Sequence, residues 1–114
     1  MLSREKRLVK NRDFERVYQK GKRVSSDSFN LTFLPNRTAM ARVGIVVGKK
    51  FSKKAVERNK AKRIFREALK GAYNDLRPGT DMVIFVKNIN NQVPKLEVVK
   101  AELKKAFGKA GITK

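Results

Sequence analysis

Apolar and polar residues alternate along this chain in two rhythms, and each change of rhythm marks a new element. The longest helical rhythm follows Ala55. Ala61, Ile64, Phe65, Ala68, Leu69 and Ala72 stand at i, i+3, i+4, i+7, i+8 and i+11, the stripe of a helix with one buried face, ending near Tyr73. A shorter helix is predicted over residues 12–20, with Asn11 as its N-cap, Gly21 as its stop, and Phe14, Val17 and Tyr18 on one face. A last helix follows Pro94, which suits a first turn. Its stripe is Leu96, Val99, Leu103 and Phe107, and Gly108 and Gly111 mark its end. Between the first two helices the period shortens to two. Phe29, Leu31 and Phe33 alternate with Asn30 and Thr32 as in a half-buried strand, and residues 24–28 lead into it as a bent first piece. Residues 41–48, ARVGIVVG, are an almost unbroken apolar run that reads as a central strand. Residues 82–86 read as another buried strand. Turn-forming residues fill 35–38 and 74–81, and a polar loop covers 88–92. The predicted order is α-β-β-β-α-β-α, an α+β sandwich with helices on a small sheet. It forms one domain over residues 1–114, with a basic flexible arm at 1–10 and a basic tail at 108–114. No internal repeat or low-complexity segment interrupts it.

Charge changes this picture from a generic small domain to a polyanion binder. The 114 residues include 29 Lys or Arg against 10 Asp or Glu, a net charge of +19. Such an excess implies a polyanionic partner, nucleic acid first and an anionic membrane surface second. No apolar run nears the ~18 residues that span a bilayer. The N-terminus lacks a signal peptide's apolar stretch, so a cytoplasmic protein is expected. Cys and His are both absent, which removes disulfides, thiolate metal sites and the commonest general base. No pair of carboxylates stands at a spacing that implies acid and base roles, and no Gly-rich phosphate loop is present. A binding module is therefore favoured over a self-sufficient enzyme.

The charge is concentrated at residues 49–70, where ten Lys or Arg meet two Glu, and it is ordered. Arg58, Lys62 and Arg66 fall four apart at one edge of the apolar stripe, with Arg63 and Lys70 further round. Like charges at that spacing repel by a few tenths of a kcal/mol per pair, so helix stability alone does not account for them. A solubilising surface is the bland reading, and Arg, with a planar fork suited to phosphate, argues against it. Phe14 and Tyr18 are four apart and admit two readings, core packing or a platform for unpaired bases. A membrane-binding face would need bulky apolar residues opposite the cations, and the core claims the apolar stripe. Basic stretches at 4–23, 49–70 and 95–114 bracket the sheet, which points to RNA held on several faces.

Residues 44–67, GIVVGKKFSKKAVERNKAKRIFRE, resemble the bacterial ribonuclease P protein subunit. The family's signature helix reads roughly A-V-x-R-N-R-x-K-R-x-x-R. Here it stands as Ala55-Val56-Glu57-Arg58-Asn59-Lys60-Ala61-Lys62-Arg63-Ile64-Phe65-Arg66, and the GIVVGKK before it and residues 11–21 match as well. Lys60 departs from the signature, keeping the charge and losing the bidentate geometry of Arg. The resemblance implies the protein subunit of a ribozyme that removes the 5′ leader from precursor tRNA, with catalysis and Mg²⁺ residing in the RNA and neither catalytic residue nor metal site in the protein. It implies contact with the catalytic RNA through Arg58, Asn59, Lys60, Lys62, Arg63 and Arg66, supplemented by Lys49, Lys50, Lys53 and Lys54. It places the precursor-tRNA leader in a cleft lined by Phe14, Tyr18, Phe29 and Thr32, and it calls for no membrane and no obligate protein partner. The fold implied is ribosomal protein S5 domain 2-like, with a left-handed βαβ crossover around the basic helix where ~98% of such units are right-handed. The rival readings are a ribosomal-protein-like RNA binder or RNA chaperone, and a protein-only nuclease.

Overall fold

The computed structural model describes residues 4–36, 38, 40–88 and 92–114. Residues 1–3 of the expected arm, Arg37 of the expected turn and residues 89–91 of the expected polar loop lie outside the described residues. Three helices, α1 (Asn11–Lys20), α2 (Ala55–Ala72) and α3 (Leu96–Ala110), pack on four strands, β1 (Lys22–Ser25), β2 (Phe29–Pro35), β3 (Arg42–Val46) and β4 (Thr80–Val86). The sheet order is β1-β2-β4-β3. β1 and β4 each run antiparallel to β2, and β3 runs parallel to β4. The chain crosses from β3 to β4 through α2, the crossover to which the resemblance gives its unusual hand.

Alternation along the strands sorts the core into two layers. Phe29, Leu31, Val43, Met82, Ile84 and Val86 face α2 and α3 and join Ala61, Phe65, Leu69, Val99, Leu103 and Phe107. Burying one large apolar side chain stabilises by about 1.5–3 kcal/mol, so this layer fixes where α2 lies. The opposite face carries a smaller cluster of Leu8, Val17 and Val83 under α1. The predicted stripes hold. Ala61, Phe65, Ala68 and Leu69 of α2 are buried, as are Val99, Leu103 and Phe107 of α3, and Ile64, Ala72 and Leu96 are half-buried against the same core.

Four expectations are corrected. The two bent pieces at 24–34 are a hairpin, with Lys22 opposite Phe33 and Ser25 opposite Asn30. Its turn is held from α3, because Glu102 accepts hydrogen bonds from the hydroxyls of Ser26 (2.8 Å) and Ser28 (2.7 Å) and from the Ser28 N–H (2.9 Å). Second, β3 sits at the sheet edge and β4 takes the centre. Ile45 and Val46 of β3 stay half-buried, yet packing on both faces keeps this edge strand apolar, so the apolar run alone could not tell edge from centre. Third, the arm is partly docked. The Leu8 N–H donates to the Val43 carbonyl at 2.9 Å and Leu8 is buried, which covers part of the β3 edge. The tail docks likewise: Ile112 is buried, its carbonyl accepts from the Arg77 N–H (2.8 Å), and the Lys114 N–H donates to the Asp75 carbonyl (2.8 Å). Fourth, Asn11 is the first residue of α1 and Lys10 is its N-cap, without a side-chain capping bond.

Candidate nucleic-acid interface

The α2 cations are positioned by what lies beneath them. Ala61, Phe65 and Leu69 turn one side of the helix into the core, and Arg58, Lys62 and Arg66 follow at the edge of that side. Arg63, Arg66, Asn59, Lys60 and Lys70 are exposed, and Arg58 and Lys62 are half-exposed. Among the described residues no carboxylate lies within ion-pairing distance of Arg58, Lys60, Lys62, Arg63 or Arg66, so the row keeps its charge. Arg58 also donates to the Ser52 carbonyl at 2.8 Å, tying the preceding loop to the helix.

That loop is built to present lysines. Phe51 is buried and its N–H donates to the Gly48 carbonyl at 3.0 Å. With Phe51 as an anchor, Lys49, Lys50, Lys53 and Lys54 are left at the surface. Lys49, Lys50 and Lys53 border a depression of about 340 Å³ with Glu57 and Asn88. Lys54 lies 3.9 Å from Glu57, and both side chains are solvated, so the pair takes little from the loop's charge.

On the other face of the sheet α1 presents its aromatics. Val17 is fully buried and is the helix's anchor. Phe14 and Tyr18 flank it, Phe14 half-buried and Tyr18 exposed. A Cβ on Gly44 would stand 2.5 Å from the Phe14 ring, so only glycine lets the ring lie on β3. A Cβ on Gly21 would stand 2.4 Å from the Val17 carbonyl and 2.8 Å from that of Phe33. This glycine brings α1 down tightly onto the sheet. Although Tyr18 is 40% exposed, the part of it that is covered pushes the phenol above its ordinary 10.0, opposed by the nearby Arg23 guanidinium. Its hydroxyl therefore remains a neutral donor at physiological pH.

A buried charge cluster fixes the orientation of α1. Asp81, at the start of β4, is fully buried. It accepts from Arg42 Nε (2.8 Å) and Nη2 (2.7 Å), from the Asn36 amide (2.6 Å), and from Arg16 of α1. Asp13 approaches the same two arginines at 3.8 and 4.0 Å. The bond to Asp81 holds the Arg42 guanidinium above even its ordinary high pKa. One carboxylate so joins α1, β3, β4 and the segment after β2.

Two leader-site expectations are corrected by position. Phe29 is fully buried on the α2 side, with its ring edge-on to Phe65 at 5.7 Å between centroids. It cannot stack on a base without opening the core. Thr32 does lie on the α1 face, but it is buried, and its Cγ2 is only 3.0 Å from where a Cβ on Gly21 would stand. Phe85 was missed. It alternates with the inward Ile84 and Val86, is half-buried, and shares its face with Asn30, its partner in β2. The run MVIFV reads as uniformly buried, and only the second strand face shows which residue is left open. Arg23, opposite Thr32 in β1, adds an exposed cation to this face.

The α2 row and the aromatic face meet at the β3 edge, where Arg66 and Phe14 line one cavity. The arrangement offers cations for phosphates and rings for unpaired bases. Among the described residues no group of three or more Asp or Glu is gathered to hold a metal ion.

A family model described as Ribonuclease P matches residues 2–111. The ribonuclease P protein component of a Pseudanabaena species is 34% identical over 113 residues, covering 98% of this chain and 97% of that protein. That of a Picosynechococcus species is 40% identical over 86 residues, 75% of this chain and 74% of that protein. Among solved structures, the Staphylococcus aureus RNase P protein superposes with a TM-score of 0.83 at 28% identity, over 96% of this chain and 98% of that one. The Thermotoga maritima RNase P protein gives 0.77 at 30% identity, over 87% and 92%.

Proposed function

This chain belongs to the bacterial ribonuclease P protein family, the protein component of the endoribonuclease that processes tRNA 5′ ends, and from that premise we propose how its surfaces divide the work. The family partners the ribonuclease P RNA. In this reading α2 grips that RNA through Arg58, Asn59, Lys60, Lys62, Arg63 and Arg66, and the loop lysines Lys49, Lys50, Lys53 and Lys54 extend the contact. The open face of the sheet receives the single-stranded leader of precursor tRNA, with Phe14, Tyr18 and Phe85 as stacking surfaces. The observation that supports this reading is the cavity shared by Arg66 and Phe14, where the α2 row adjoins the aromatic face.

The protein's own residues bind, orient and neutralise. Mg²⁺ held by the RNA would supply the Lewis acid for phosphodiester hydrolysis. The protein's cations lower the repulsion between two polyanions brought together, and the stacked leader adds affinity that mature tRNA lacks. A cytoplasmic location belongs to the same reading. No helix among the described residues is long and apolar enough to cross a membrane.

The test is reconstitution with a bacterial ribonuclease P RNA at low Mg²⁺. Stacking is worth about 1–3 kcal/mol per base, so Tyr18→Ala and Phe85→Ala should each weaken precursor binding by that much and leave mature tRNA unchanged. Equal losses for both tRNAs would remove the leader from this face. Lys62→Ala should flatten the log–log salt dependence of RNA-subunit binding by roughly 0.7–0.9. An unchanged slope would remove Lys62 from the phosphate contacts.

A further inference from the structure

At the β3 edge the N-terminal segment, the sheet and α2 enclose a cavity of about 330 Å³. Its apolar lining residues are Leu8, Val9, Phe14, Val43, Ile45 and Leu69, of which Val9 is exposed at the surface. Gly44, Arg7 and Arg66 complete the lining, and both arginines are exposed. No Asp or Glu is among the described lining residues. Apolar walls with a few convergent polar groups are the ordinary construction of a small-ligand site. Here the polar groups are two guanidinium forks, which suit a phosphate. Leu8 and Phe14 form walls because each is held in place, Leu8 by its backbone bond to the Val43 carbonyl and the Phe14 ring by its seat on Gly44.

We propose that this cavity receives one unpaired nucleotide of the precursor-tRNA leader, its base against the Phe14–Ile45–Leu69 wall and its phosphate between Arg7 and Arg66. The inference rests on the leader reading above and extends it. Phe14 serves both the open face and the cavity, so a strand leaving the face past Phe14 arrives at the cavity mouth. The site would act as a terminal catch, read by leader length more than by leader sequence, because every base has an apolar face to bury.

The chain has no cysteine, which allows the cavity to be plugged after folding. Val9 is 57% exposed, so Val9→Cys should fold normally, and alkylation with N-ethylmaleimide would then fill the mouth. Val98→Cys on α3, where Val98 is 49% exposed, is the labelled control. Each protein is reconstituted with ribonuclease P RNA, and affinity is measured for precursors whose leaders lengthen one nucleotide at a time. The expected result is a step in affinity at one leader length, cut by about tenfold in alkylated Val9→Cys. Shorter leaders, mature tRNA and alkylated Val98→Cys should match the unmodified proteins. Arg7→Ala should lower the same step, and Arg7→Lys should restore part of it. If alkylated and unmodified Val9→Cys agree at every leader length, the proposal fails. It fails too if the label weakens RNA-subunit binding and no leader step, which would give the cavity to the RNA subunit. Tyr18→Ala separates the two layers of argument. If it costs precursor affinity while the plug does not, only the cavity is lost. If it too leaves every leader length untouched, the leader reading falls as well.

Discussion

Removing the ring of Phe29 separates a core role from a binding role at a single residue. The ring is fully buried against Phe65, and Phe→Ala in such a site costs about 3–5 kcal/mol. Phe29→Ala should therefore lower the denaturant midpoint sharply. The ratio of precursor to mature tRNA affinity, measured where the variant is still folded, should stay as in the parent protein. A changed ratio at unchanged stability would return Phe29 to the leader site. At this scale the sequence spoke unevenly. The spacing of Arg58, Lys62 and Arg66 and of Phe14 and Tyr18 was legible, because neighbours on a helix are fixed by its own geometry. That Phe29 and Thr32 are buried while Phe85 is left half-open was not. An aromatic in a strand looks the same whichever face the fold chooses to cover.

Each element takes its place from a few contacts, and for α1 one of those is the bond from Arg16 to Asp81. Asp81→Asn keeps the size and removes the charge that Arg16 and Arg42 share. Breaking a buried pair costs about 3–5 kcal/mol. The lower end applies, since the Arg16 and Arg42 side chains stay 38% and 24% exposed. Urea unfolding should show that loss, and amide exchange should rise most in α1. A loss below ~1 kcal/mol would mean that the cluster does not hold α1. Helices and strands themselves were mostly legible from periodicity. The β1–β2 hairpin and the docked ends were not, because they depend on partners such as Glu102, Val43 and Asp75 that lie far away in sequence.

Across the whole molecule the dominant fact is charge, and the fold ties up three of the ten acids in its own contacts. Asp13 and Asp81 serve Arg16 and Arg42, and Glu102 serves the serines of the hairpin turn. The remaining cations repel one another, so an anion that binds the folded state should stabilise it. Sulfate should raise the melting temperature more than chloride at equal ionic strength, and an anion at 100 times its Kd contributes about 2.7 kcal/mol. Equal effects of the two salts would indicate screening alone. By itself the sequence determined the class of partner, the helices and most strands, and the cationic row on α2, because net charge and short-range periodicity need no knowledge of distant neighbours. The tertiary structure alone decided that β3 lies at the sheet edge, that Phe85 is open and Phe29 closed, and that Arg66 and Phe14 share a cavity. Those outcomes depend on which distant segments pair, and that choice is set by the packing of the whole core.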